Sequence, residues 1–176
     1  MWLNFMDNYN GKAILSKKVI VNSNELVFYS DSCLNGYGAI FNYTFVIGTF
    51  PKSWRKKDIQ GLELYPIYLM VKMHEDILAN KAVTFFTDNQ AIVASINKQS
   101  SRNKFVMSIL RPMVLTLLQN NISFNAKHIP GVKNNICDSL SRAQVPPELA
   151  DPAGPWKRLT VPQSLLPLNL LISATI

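Results

Sequence analysis

Between residues 24 and 143 the spacing of apolar side chains switches back and forth between a two-residue and a helical period. The order of those switches restricts the fold more than any other feature of the chain. Leu26–Asp31 alternates and is rich in β-formers. Asn35-Gly36 is a hairpin-turn dipeptide, and Tyr37–Asn42 and Tyr43–Phe50 follow as the second and third strands of an antiparallel meander. Over Asp58–Ala79 the apolar positions Leu62, Leu69, Met73 and Ile77 recur at helical spacing. Pro66 supplies no backbone donor and predicts a late start or a kink, which puts Glu63 near the amino-terminal end of that helix. Val83–Thr87 reads as a strand ending at Asp88, and Gln90–Asn97 as a short helix. Phe105, Val106, Ile109, Leu110, Met113, Val114, Leu117 and Leu118 repeat with a helical period around Pro112. Ile122–His128 returns to strand alternation, and Asn134–Arg142 closes the unit as a helix. The order βββαβααβα predicts an α/β fold with a five-stranded mixed sheet flanked by helices.

A chain of 176 residues, 48% hydrophobic and 16% charged, can bury one sizeable core, which excludes disorder for most of its length. Six of the ten prolines fall after residue 143, so 144–176 reads as a Pro-rich linker or extended arm. That arm carries Lys157 and Arg158 against Glu148 and Asp151, and the net charge of +7 therefore belongs to residues 1–143. A folded unit so basic expects a polyanionic partner such as nucleic acid. The apolar stretch Leu165–Ile176 is shorter than the ~20 residues of a spanning helix and contains Pro167 and Asn169, so no membrane partner is expected. Met1–Asn10 lacks the basic flank and apolar run of a secretory signal, which points to an intracellular setting, cytoplasmic or nuclear. Cys33 and Cys137, without a CxxC pair or zinc-finger histidines, read as reduced thiols. Asn10-Gly11 and Ser16-Lys17-Lys18 set off the first 23 residues as a separate piece.

Acidic residues are few, and four of them fall where elements begin or end: Asp31 after strand one, Glu63 in the first long helix, Asp88 after strand four, Asp138 in the last helix. Carboxylates at the carboxyl ends of adjacent central strands sit side by side at the open rim of an α/β sheet. There they repel unless a divalent cation intervenes, and oxygen ligands suit Mg²⁺ or Mn²⁺. Taken singly, Asp31 and Asp88 read as turn or cap residues, Glu63 as a solvated helix face and Asp138 as an ordinary helical acid. His128 and His74, taken singly, read as surface histidines.

Four phrases carry a family resemblance: Tyr29-Ser30-Asp31-Ser32-Cys33, Leu62-Glu63-Leu64, Thr87-Asp88-Asn89-Gln90, and His128-Ile129-Pro130-Gly131 leading to Asp138-Ser139-Leu140-Ser141-Arg142. Together residues 24–143 resemble the type 1 RNase H domain of gypsy-like or DIRS-like retrotransposon reverse transcriptase polyproteins. Residues 1–23 resemble the end of the preceding polymerase or connection region. The resemblance implies that Asp31, Glu63, Asp88 and Asp138 ligate two Mg²⁺ ions, which Mn²⁺ can replace, and that His128 moves protons during turnover. It also implies a metal-dependent endonuclease that hydrolyses the RNA strand of RNA/DNA hybrids, with the upstream reverse transcriptase domain of the same polyprotein as partner. The turn Ser32–Gly36 is tighter than in cellular RNase H, and Asn89 stands where Ser is common.

Hybrid recognition requires reading 2′-hydroxyls on one strand. Asn35, Asn89 and Gln90, polar and beside the carboxylates, are the candidates, together with Arg102 in the short basic segment 98–104; each of the three amides also suits a turn. Lys52, Arg55, Lys56 and Lys57 around Trp54 form either a basic patch with an aromatic or a solvated loop with one core-anchored Trp. An integrase-type nuclease carries its Glu in a late helix, so Glu63 between the first and third acids favours the RNase H layout. A hybrid-binding module of a degenerate element is the other alternative, against which stands the presence of all four acids and the histidine.

Overall fold

The structure, a computed structural model, describes residues 26–167. Strands β1 (Val27–Ser32), β2 (Gly36–Phe41) and β3 (Thr44–Thr49) form the expected antiparallel meander, with Asp31 opposite Gly38 and Ser32 opposite Tyr37. Helix α1 (Ile59–Met73) and the single turn α2 (Glu75–Leu78) lead to β4 (Ala82–Thr87), which pairs parallel with β1. Helices α3 (Gln90–Lys98) and α4 (Lys104–Gln119) precede β5 (Ser123–His128), parallel to β4 with His128 opposite Thr87. A 3₁₀ turn (Gly131–Lys133) and α5 (Asn135–Ser141) follow. Because each crossover from β1 to β4 and from β4 to β5 passes through helices, the carboxyl ends of these three strands share one rim.

The sheet has six strands rather than five, in the order β5-β4-β1-β2-β3-β6. The sixth, β6 (Lys157–Arg158), comes from the Pro-rich segment and pairs parallel with β3. Lys157 N–H donates to the Tyr43 carbonyl and Leu159 N–H to the Phe45 carbonyl, each at 2.8 Å, so the strand covers a sheet edge that would otherwise present unpaired groups. The same segment forms a helical turn, α6 (Pro147–Ala150), which buries Leu149 with Ile40, Phe45 and Leu140. Further on, Tyr65 in α1 donates its hydroxyl to the Leu165 carbonyl at 2.8 Å. As far as residue 167 the Pro-rich segment is thus an arm packed on the domain. The expected upstream remnant, 1–23, lies outside the described residues, as does the end of the arm.

One face of the sheet, with Phe28, Phe41 and Phe85, packs on α1, α3 and α4; the other, with Ile40 and Phe45, packs on α5 and the arm. Helix α1 is the centre of the first layer, with every residue from Gly61 to Val71 buried. It starts at Ile59, capped by Asp58, and runs through Pro66 without the expected late start. It ends at His74, which is buried rather than on the surface: its Nδ1 donates to the Met70 carbonyl and its ring meets Phe41 edge-on at 4.9 Å. Desolvation there lowers its pKa. On the other face Gly38 lets α5 lie against β2, since a Cβ would collide with the Leu140 side chain and come within 3.0 Å of Ser141 N. No helix among the described residues is long and apolar enough to cross a membrane.

Candidate metal centre

Three elements converge at the rim. Asp31 lies in β1 one residue before its end, Asp88 directly follows β4, and Glu63 projects from the first turns of α1. One carboxylate oxygen from each lies within 4.8 Å of the other two. Asp31 and Glu63 are each only 6% exposed, while Asp88 faces solvent. A solvated helix face is therefore the wrong description of Glu63. The reading fails because it assumes an amphipathic helix, and α1 is enclosed on every side.

Burial and mutual repulsion make ionisation expensive here. Desolvation, then repulsion by Asp31 and Asp88, pushes the Glu63 pKa up from 4.5 to about 9, against a backbone hydrogen bond from Ser32 that favours the carboxylate. Desolvation likewise raises Asp31 from 3.8 to about 6; the Ser141 hydroxyl opposes this, and Asp88 and Asp138 add repulsion. The second Glu63 oxygen, Oε2, is buried with no hydrogen-bond partner among the described residues. A buried, unpartnered acceptor beside two more carboxylates is a costly arrangement for a protein alone. The donor set is all oxygen, which fits a hard divalent cation.

Asp138, expected as the fourth ligand, stands outside this group. Its Oδ1 accepts from Arg142 Nε at 3.1 Å and Nη2 at 2.8 Å, one helical turn away on α5, and both side chains are about half exposed. It is still near enough to raise the Asp31 pKa by its charge. His128, at the end of β5, is exposed, and its Nε2 donates to the Asp88 carbonyl at 3.1 Å, which leaves Nδ1 as the proton acceptor.

Asn89 caps α3, its Oδ1 accepting from Ala91 N–H and Ile92 N–H at 3.0 and 3.2 Å. The turn role weighed from sequence is thus met by its oxygen, and its amide nitrogen is the part left to face a ligand. Gln90 follows it, exposed. Asn35 is exposed in the β1–β2 turn, where a groove of about 420 Å³ also takes in Cys33, Thr49, Ser141 and Arg142. Arg102 lines a different groove, with Lys104 and Arg111, formed by the segment before α4 and by α4 itself. In the Lys52–Lys57 loop Trp54 is fully buried and stacks on Phe50, so it is a core anchor that offers nucleic acid no ring face.

Two residues that matter here were given no role from the sequence. Asn134, 3% exposed, donates its amide to the Ser30 carbonyl at 2.9 Å and accepts Asp138 N–H on its own carbonyl, tying β1 to α5. Ser32 contacts Glu63 and donates its hydroxyl to the Leu62 carbonyl at 2.9 Å. Only the adjacency of Ser32 to Asp31 could have drawn attention to it. A cleft of about 610 Å³ lined by Tyr29, Tyr43, Trp156 and Lys133 opens on the α5 side and includes none of the carboxylates.

No protein-family model and no curated protein matches the chain. Among solved structures it is similar to the RNase H1 of the halophilic archaeon Halobacterium salinarum NRC-1, at 12% identity and a TM-score of 0.51, over 65% of this chain and 90% of that one. The chain has an RNase H-like fold.

Proposed function

We propose that the domain is a metal-dependent endonuclease of the RNase H type, cutting the RNA strand of RNA/DNA hybrids as part of a retroelement reverse transcriptase. The observation that carries this reading is the convergence of Asp31, Glu63 and Asp88 on one point, with a Glu63 oxygen buried and unpartnered. The fold shared with the archaeal RNase H1 and the phrase from His128 to Arg142 support it. The upstream reverse transcriptase domain rests on the sequence resemblance alone.

Asp31, Glu63 and Asp88 would hold Mg²⁺ or Mn²⁺, with Asp138 joining them on release from Arg142 to complete a site for two ions. Bound there, the cation supplies Lewis-acid stabilisation of phosphate charge and lowers the pKa of a water. The chain's own residues orient the substrate and handle protons. His128, with Nδ1 as acceptor beside Asp88, takes up or delivers a proton at the rim. Asn35, the Asn89 amide and Gln90 line the approach where 2′-hydroxyls would be read. Arg102, Lys104 and Arg111 offer phosphate contacts further along the surface.

The test is cleavage of end-labelled RNA/DNA hybrid, RNA duplex and DNA duplex by the full chain in Mg²⁺, Mn²⁺ or chelator. The reading requires metal-dependent cutting of the hybrid's RNA strand in preference to either duplex. Equal rates on all three would make this a general nuclease, and hybrid binding without cutting would make it a recognition module.

A further inference from the structure

Pro66 lies in the middle of α1 and has no N–H to give to the carbonyl four residues back, that of Leu62. Leu62 is fully buried, so water does not replace the missing donor, and an unpaired buried carbonyl is costly. The donor comes instead from another element: the Ser32 hydroxyl, on β1, donates to the Leu62 carbonyl at 2.9 Å. Ser32 is itself buried, at 7% exposure. This bond ties strand to helix beside the two buried acids: Ser32 follows Asp31, and Leu62 precedes Glu63.

A helix buried on all sides is held by close packing along its length. A hydrogen bond from a neighbouring strand to a backbone carbonyl adds a directional constraint on its rotation about its own axis. Most helices have no mid-helix carbonyl to offer, because each is closed on its own chain; the proline opens one here. We propose that Ser32 and Pro66 act together as a latch that sets the rotation of α1 and so positions Glu63 against Asp31 for metal binding. The inference rests on the metal-site reading of the three carboxylates. Ser32 is a positioning residue: its hydroxyl is spent on Leu62 and does not reach a metal or substrate.

A double-mutant cycle on the full chain tests the latch, with Mn²⁺ affinity measured by calorimetry and stability by urea unfolding in chelator. Ser32→Ala should weaken Mn²⁺ binding by about tenfold, the usual effect of removing a group that orients a ligand. Ser32→Thr, which keeps the hydroxyl, should restore it. Pro66→Ala returns a helical N–H to the Leu62 carbonyl, so in that background Ser32→Ala should change Mn²⁺ affinity by less than about twofold, the signature of a coupled pair. Ser32→Cys, of similar volume but a poor donor, makes the same comparison if Ser32→Ala does not fold. Loss of stability with Mn²⁺ affinity unchanged would overturn the proposal by making the bond merely structural. An equal loss of affinity with and without Pro66 would overturn it too, since the opened carbonyl would then not be the partner. Wild-type protein that bound no Mn²⁺ would instead defeat the metal-site reading, and the latch with it.

Discussion

Replacing Glu63 by Gln should stabilise the metal-free domain, and by an amount that depends on pH. The folded protein holds this carboxyl at a pKa of about 9 against an ordinary 4.5. Within that window the unfolded chain has released the proton and the folded one has not, so folding takes up a proton and stability falls as pH rises. At about 1.4 kcal/mol per unit, the burden near pH 7 is about 3 kcal/mol, and it vanishes below about pH 4.5. Gln keeps the shape, keeps an acceptor for the Ser32 N–H and turns its other group into a donor facing Asp31 and Asp88. Urea unfolding in chelator, from about pH 4 to pH 8, should therefore show the two proteins equal at the acid end and Glu63→Gln ahead by about 3 kcal/mol near neutrality. Adding Mg²⁺ at tenfold excess over its Kd should narrow the gap by up to about 1.4 kcal/mol, because wild type gains that much and the variant gains less. Parallel pH curves for the two proteins, or a variant less stable throughout, would refute the idea that a buried, repelled carboxylate is the source of the cost.

Asp31→Asn should abolish metal-dependent cleavage of hybrid while circular dichroism remains that of the folded domain; cutting at the wild-type rate would remove Asp31 from the site. His128→Ala should slow turnover by ~10²- to 10⁴-fold and leave measurable residual cleavage with unchanged Mn²⁺ affinity, since its proposed task is proton transfer. Single-turnover rates across a pH series check this, and unaltered rates would refute it. Leu149→Ala should destabilise the domain by about 2 kcal/mol in denaturant unfolding, because the arm's leucine is buried at 4% exposure between the sheet and α5. A change under about 0.5 kcal/mol would mean that the arm contributes little.

The amino-acid sequence by itself determined the order of the first five strands and the long helices, because each carries its own hydrophobic period, and their observed limits lie close to those read from it. It also determined that Asp31 and Asp88 end neighbouring strands, since parallel pairing through helical crossovers puts such ends at one rim. Other features are products of tertiary contact. A two-residue strand has no period to read, so Lys157–Arg158 becomes β6 only because the β3 edge offers the carbonyls of Tyr43 and Phe45. Leu62, Leu69, Met73 and Ile77 predicted one amphipathic helix, yet α1 is enclosed on all sides while Ile77, beyond the break at His74, is half exposed. The period records which residues are apolar, whereas the number of covered faces depends on what packs around the helix. The state of Glu63 follows from that enclosure, as does the partnership of Ser32 with a carbonyl thirty residues away. Asp138 is a helical acid in either reading; its side chain turns to Arg142 because the two lie one turn apart on the exposed side of α5, a choice of rotamer that no residue pattern encodes.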